Sequence, residues 1–403
     1  MIRRLLRTPE KRDLDFEDIW KRGLDATTNR TTAGELVGYD EALTLSAVYA
    51  GIRIISDTIS TLNFDVYYRQ NGTERAFRPL PLWVQDMSPY LRNHEVLGQV
   101  LTSLLLDGNA FLATLRDTTG AVIEVTPLDP TSITVNLDQN ERGRQQLTFT
   151  SSQAPAETFT QNDITHIRGM MKAGSVRGLS PIASAREFLG LGIAVQKYGA
   201  AFFGNGALPG AVVEVPNSLS PEGADALKGA WNDIHRGAAN GSRLAVLTEG
   251  AKFSKISLSP EDSQFLQSRS MTVNDVGRLF GLPNWLLNDA SGSTSWGSGL
   301  AEQSRAFIMY SLRPYITRLE AGLTSILRSQ GISVAYLKFD TATMNRGTPE
   351  TLDKFTKGLQ AGVYNIDEVR AAEGLPPLPN GDGQTHYVPM NLAPVDGPLE
   401  QGG

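Results

Sequence analysis

The sequence predicts an α+β chain of more than one domain, and three observations carry that prediction. The chain has 403 residues, 40% hydrophobic and 20% charged, enough to bury a core across roughly two or three domains of about 150 residues each. Stretches with helical spacing of apolar residues are interleaved with short runs that alternate every second residue. Two helical segments of similar length, Pro181–Phe203 and Pro260–Phe280, flank a small strand–helix–strand pattern, the layout of a stalk with a head.

Along the chain, Leu43–Leu62 carries Leu43, Val48, Ile52, Ile55, Ile59 and Leu62 on one helical stripe. NFDVYYRQ then alternates as a strand and ends at Asn71-Gly72, a turn signal. A second helix covers His94–Leu106 and stops at Asp107-Gly108. Between Ala110 and Arg168 five β-like runs follow, AFLATLR, AVIEVTPL, SITVNL, QQLTFT and DITHIRG, separated by turn residues. After a Gly-rich connector, Ser180 is an N-cap with Pro181 at the first helical position. Glycines 190, 192 and 199 each weaken an isolated helix by about 1 kcal/mol, so this helix is expected to be tightly packed.

From Ala207 to Leu258 the pattern reads strand, capped helix, strand pair, and Ser259-Pro260-Glu261-Asp262 opens the next helix. An apolar turn and a Ser/Gly loop holding Trp296 follow. A long helix then runs from Leu300 to Arg328, where Pro314 is expected to kink or interrupt it. A strand, ISVAYLKFD, precedes a final helical stretch, Thr348–Glu373, and a Pro/Gly-rich tail.

Chemistry is excluded more readily than found. With no cysteine there are no disulfides, thiolate metal sites or thiol nucleophiles. The four histidines, 94, 166, 235 and 386, are too far apart in sequence for a ligand motif, and each reads as a surface or capping residue. No P-loop is present. Gly204–Gly210 lacks the dinucleotide spacing, and Ser295 lacks the preceding glycine of a nucleophile elbow because Ser293 stands there. Asp262, Asp289 and Asp340 are scattered acids that read as caps, turns or solvated faces. No apolar run approaches a membrane span. The opening MIRRLLRTPEKR is a basic arm without the apolar core of a signal peptide; it suits contact with a membrane or nucleic acid, but reads more simply as solvated or packed on a neighbour. A net charge of −6 argues against a general nucleic-acid coat. Arginine outnumbers lysine 27 to 10, a composition suited to interface contacts. Trp231 and Trp285 read as packing residues, while Trp296 suits either a projecting contact or a core position.

Seven stretches then fall in a familiar order: LSAVYAGIRIISDTISTLNFDVYYR, LLLDGNAFLATL, VTPLDPTSITV, DITHIRG followed by GLSPIASA, FGLPNWLLND, SLRPYITRLEAGLTSIL and AGVYNIDEVRAAEGLPPLPNGD. Together they resemble the portal proteins of tailed double-stranded DNA bacteriophages, in the branch typical of long-tailed phages, over nearly the whole chain. The resemblance implies a portal-type subunit with an α/β wing, a two-helix stem, a small β-α-β clip and a short helical crown, assembled into a ring of commonly twelve copies. The implied boundaries are an arm at 1–29, wing at 30–180 and 300–346, stem helices at 181–205 and 260–282, clip at 206–259, tunnel loop at 283–299, and crown with tail at 347–403.

The resemblance places Asn288, Asp289, Ser291, Ser293, Thr294, Ser295, Trp296 and Ser298 in a tunnel loop facing DNA, and Gly178, Ser180 and Pro181 at the start of the stem. It implies no catalysis, cofactor or metal. The ring would sit at one capsid vertex of the virion after assembly in the host cytoplasm, forming the channel for genome packaging and ejection. Its partners would be the terminase large subunit, a head-tail adaptor, the major capsid and scaffolding proteins, and DNA passing without sequence specificity, with no membrane involved. The alternative is a capsid-associated adaptor that binds virion proteins without enclosing DNA. A hydrolase using scattered carboxylates is a third, more distant reading.

Overall fold

Helix pairing organises the first part of the chain. The structure is a computed structural model and describes residues 30–140, 142–152, 154–204, 211–214, 252–255, 273–287, 298–341 and 349–387. A short helix α1 (Tyr39–Leu43) leads into α2 (Ser46–Ser60), whose buried face is Val48, Ile52, Ile55 and Ile59. The helix expected over 43–62 therefore begins later. Thr44 bonds back to the Glu41 carbonyl and Leu45 turns extended, which separates α1 from α2. Helix α2 packs along a later helix, Asn93–Leu106, which buries Val96, Leu97, Val100, Leu101, Leu104 and Leu105. The Ser56 hydroxyl donates to the Gly98 carbonyl at 3.1 Å across that seam.

The chain divides into two units, Met1–Thr61 with Pro79–Ala335 and Leu62–Arg78 with Tyr336–Gly403. In the second unit β1 (Phe64–Gln70) and β2 (Thr73–Ala76) form a hairpin across Asn71-Gly72, both with positive φ, at 52° and 80°. The sequence shows the turn but not β2, because TERA is exposed along its whole length and carries no alternation.

In the first unit a one-turn helix α3 (Leu82–Gln85) precedes α4 (Asn93–Leu106). Strands β3 (Asn109–Arg116), β4 (Val122–Leu128), β5 (Ile133–Gln139), β6 (Gln145–Ser151), β7 (Ala154–Thr160) and β8 (Ile164–Arg168) make two antiparallel sheets, ordered β4-β3-β8 and β5-β6-β7. All five expected runs are strands. The unexpected one, β7, lies at a sheet edge, where Pro155 is tolerated. Phe111, Ile133, Val135, Phe149 and Ile164 form a common core between the sheets.

Helix α5 (Pro181–Gly204) follows, burying Ile182, Ala185, Leu189 and Ile193 and packing on α1 and α4. Strands β9 (Ala211–Glu214) and β10 (Lys252–Lys255) pair antiparallel; the helix and strand expected between them lie outside the described residues. Of the expected Pro260–Phe280 helix, 273–280 is helical and the remainder lies outside the described residues. Helix α6 (Ser298–Ala306) runs through a π-helical turn (Phe307–Leu312) into α7 (Arg313–Ser329). The interruption expected at Pro314 is thus a π turn just before it, with the proline in the first turn of α7, where its missing N–H costs little. Helix α7 buries Ile316, Leu319, Leu323, Ile326 and Leu327 and packs on β8, with Gly322 admitting Ile167.

In the second unit β11 (Ala335–Phe339) completes the order β11-β1-β2. The expected Thr348–Glu373 helix is two helices, α8 (Pro349–Gln360) and α9 (Ile366–Ala372). They part at Gly362, φ 71°, and Asn365 caps α9 by accepting from the Glu368 amide.

Candidate functional site at the root of the long helix

Helix α4 ends, β3 begins and α5 starts within one buried knot. A carboxylate at a helix C-terminus opposes the helix dipole, so Asp107 needs compensation. It gets it from Arg177, whose Nη2 donates to Oδ1 at 2.9 Å, and from the Tyr39 hydroxyl, which donates to Oδ2 at 2.5 Å. The Arg177 guanidinium also donates to the Ile133 carbonyl at 2.7 Å and lies 5.4 Å from the Phe111 ring centroid. Burial first, and then the Asp107 carboxylate, push the Tyr39 phenol above its ordinary pKa.

Next along the chain, Asn109 is fully buried and uses both ends of its amide. Nδ2 donates to Asp107 Oδ1 at 2.7 Å and to the Gly178 carbonyl at 3.1 Å, and Oδ1 accepts from the Gly178 amide at 2.6 Å. Backbones meet closely here. A Cβ on Gly108 would lie 2.0 Å from the Leu179 carbonyl oxygen, and one on Gly178 2.2 Å from the Gly108 oxygen. The Ser180 hydroxyl donates to the last carbonyl of α4, Leu106, at 2.7 Å, and accepts from the Ala183 amide at 3.0 Å. One side chain thus satisfies the end of one helix and the start of another.

His166 closes the knot from β8. It stacks on Phe111, with centroids 4.3 Å apart and planes 20° apart, and its Nε2 lies 2.9 Å from Asn109 Oδ1. That oxygen already accepts from Gly178, so Nε2 carries the proton and Nδ1 is bare. Nδ1 is buried without a partner, and burial followed by the Arg168 and Arg177 charges lowers the His166 pKa to about 3. The expectation of a surface or capping histidine is corrected here: His166 is a neutral packing residue. His94 is exposed, and His386 is half-exposed 3.7 Å from Glu368. His235 lies outside the described residues.

Of the expected site residues, Gly178, Ser180 and Pro181 are brought together at this junction. The tunnel-loop positions Asn288, Asp289, Ser291, Ser293, Thr294, Ser295 and Trp296 lie outside the described residues, and Ser298 is the first residue of α6. Trp285 is half-buried in the turn Asn284–Leu287, consistent with packing; Trp231 lies outside the described residues. Tyr39, Asn109 and Arg177 carry no role in the sequence reading, Asp107 only that of a helix stop and His166 only that of a surface or capping residue. The Asp-Gly-Asn stop after α4 and the Arg-Gly pair before Ser180 were their signals. Among the described residues no cluster of three metal-ligating side chains occurs, and no helix is long and apolar enough to cross a membrane.

A family model described as phage portal protein matches residues 46–374, from the first turn of α2 to just past α9. The chain belongs to the phage portal protein family. This portal chain is 44% identical over 375 residues to the probable portal protein of Streptomyces phage phiC31, covering 90% of this chain and 81% of that protein. It is 28% identical over 362 residues to the portal protein of Enterobacteria phage HK97, covering 87% and 84%. Among solved structures it resembles a chain of the neck of a native gene transfer agent particle computed with C12 symmetry. There the TM-score is 0.57 and the identity 21%, over 87% of this chain and all of that one, a likeness of fold. The portal chain is a structural head-to-tail connector of the virion, and the reading as a separate adaptor is not favoured.

Proposed function

We propose that twelve copies of this chain form a closed ring at one capsid vertex, through which the genome is packaged and ejected. The family match across 46–374 carries the reading, and the twelvefold neck into which a chain of the same fold is built supports the copy number. In this reading 181–205 and 260–282 are the stem, 206–259 the clip, and 283–299 the loop facing DNA. The wing is 30–180 with 300–346, and the crown begins at 347. The terminase large subunit and a head-tail adaptor dock on the ring, capsid and scaffolding proteins surround it, and assembly takes place in the host cytoplasm. The chain itself performs no covalent chemistry.

A head-to-tail ring requires two complementary faces on each subunit rather than one symmetric patch. The junction supports such a role because it fixes the direction in which α5 leaves the wing core. Native mass spectrometry of the purified chain is expected to show a twelve-subunit species, and negative-stain images a ring with an axial hole. A strict monomer at every concentration, with no ring in assembled capsids, overturns the proposal.

A further inference from the structure

We propose that the basic N-terminal segment, residues 2–7, docks into a cleft on its own chain, between α4 and the end of β4. The cleft has a volume of about 620 Å³ and its lining includes Leu91, Leu106, Leu128 and Pro130 together with Glu95 and Asp129. Both carboxylates are exposed. Glu95 accepts from the Arg92 amide at 2.7 Å and Asp129 from the Thr131 amide at 2.9 Å. Among the described residues no basic side chain lies within ion-pair distance of either. The cleft therefore offers apolar surface beside two carboxylates that have no ion-pair partner among the described residues.

The start of the chain has the complementary composition. Ile2, Leu5 and Leu6 alternate with Arg3, Arg4 and Arg7. Arginine supplies multidentate contacts to carboxylates, and the aliphatic residues supply burial.

The root of the arm is held near the cleft. Thr31 is buried against Gly190 of α5, where a Cβ would lie 2.5 Å from the threonine Cγ2. The Thr32 amide donates to Glu187 at 3.1 Å, and Lys197 pairs with Glu35. Glu187 is seven residues along α5 from Ser180, about 10 Å of helix, and the Ser180 hydroxyl bonds Leu106 of the cleft lining. Residues 8–29 reach on the order of 70 Å when extended, far more than the return requires.

The absence of native cysteine makes a direct test clean. Leu5→Cys is combined with Gln99→Cys in the full-length chain, with Thr102→Cys as a second pairing if the first variant folds poorly. Mild oxidation is followed on non-reducing gels and by mass spectrometry of the linked peptides. The expected product is a disulfide within one chain, formed at least tenfold faster than with Leu5→Cys and a control cysteine at exposed Ser333. Adding Glu95→Lys with Asp129→Lys is expected to slow it at least tenfold. Disulfides between chains, a rate equal to the control, insensitivity to charge reversal, or failure of the link to form when duplex DNA is present before oxidation each overturn the assignment.

Discussion

Gly108 stands where the end of α4, the start of β3 and the approach to α5 converge, and two separate constraints hold it. Its φ is 76°, which costs an L side chain about 1–2 kcal/mol, and a Cβ would drive into the Leu179 carbonyl oxygen. Gly174, in the connector before α5, has the first constraint without the second, with φ 81° and open space around it. Gly174→Ala is therefore expected to destabilise the chain by about 1 kcal/mol, and Gly108→Ala by at least ~3 kcal/mol, measured as shifts of denaturant midpoint. His166 adds a pH dependence. Its folded pKa, near 3, lies below the unfolded value of about 6.5. Between those values the unfolded chain binds a proton that the folded chain refuses, so stability falls as pH drops through this window, by up to about 1.4 kcal/mol per unit. His166→Gln keeps a donor for Asn109 and removes the titration. Unfolding curves from pH 7 to 4 are expected to show a shallower loss in the variant; identical slopes would refute a buried neutral histidine.

At the scale of elements, α5 is fixed at two places, its first turn by Ser180 and its middle by Thr31 against Gly190. Glycine at 190 sacrifices about 1 kcal/mol of helix propensity, and the approach of Thr31 is what requires it. Thr31 cannot easily yield, because its hydroxyl donates to the Glu35 carbonyl at 3.0 Å and accepts from the Glu35 amide at 3.2 Å. Gly190→Ala is expected to destabilise the natural chain yet stabilise a Thr31→Gly background by up to about 1 kcal/mol, a sign change that a double-mutant cycle reads directly. The glycines of this helix, read from sequence as a sign of close packing, have that meaning at 190. The π turn before Pro314 was not legible in the same way. The proline announced an interruption, but its form depends on a tertiary partner, the Gly281 carbonyl that accepts from Ser311. Likewise the break between α8 and α9 rests on Gly358 admitting the Tyr364 ring, a contact with no periodic signature.

For the whole molecule, most of the order of helices and strands among the described residues was legible because apolar spacing and turn residues act locally; the exposed β2 and the edge strand β7 were not. The junction was legible only at its margins, as a helix stop and a helix cap. Its substance is a set of long-range bonds, Asp107 to Arg177 and Asn109 to Gly178, which no local pattern encodes. The charge balance also changes meaning at this scale. A net charge of −6 disfavours a protein that grips DNA, but repeated round the proposed ring it surrounds a polyanion with mild repulsion. Residues 288–299 contain no lysine or arginine, and one tryptophan, Trp296, is their large side chain. A loop of that composition has no cation with which to hold phosphate, so its proposed contact with DNA is steric and apolar. Trp296→Ala, or deletion of 291–298, is accordingly expected to reduce genome packaging or retention several-fold while ring formation by native mass spectrometry is unchanged. Because no phosphate-binding cation is removed, the defect is expected to be the same at low and high salt, whereas a loop acting through charge would lose its effect as salt rises. Packaging at the unmodified level in both variants would remove 288–298 from the DNA path and leave the ring assignment to stand on its own test.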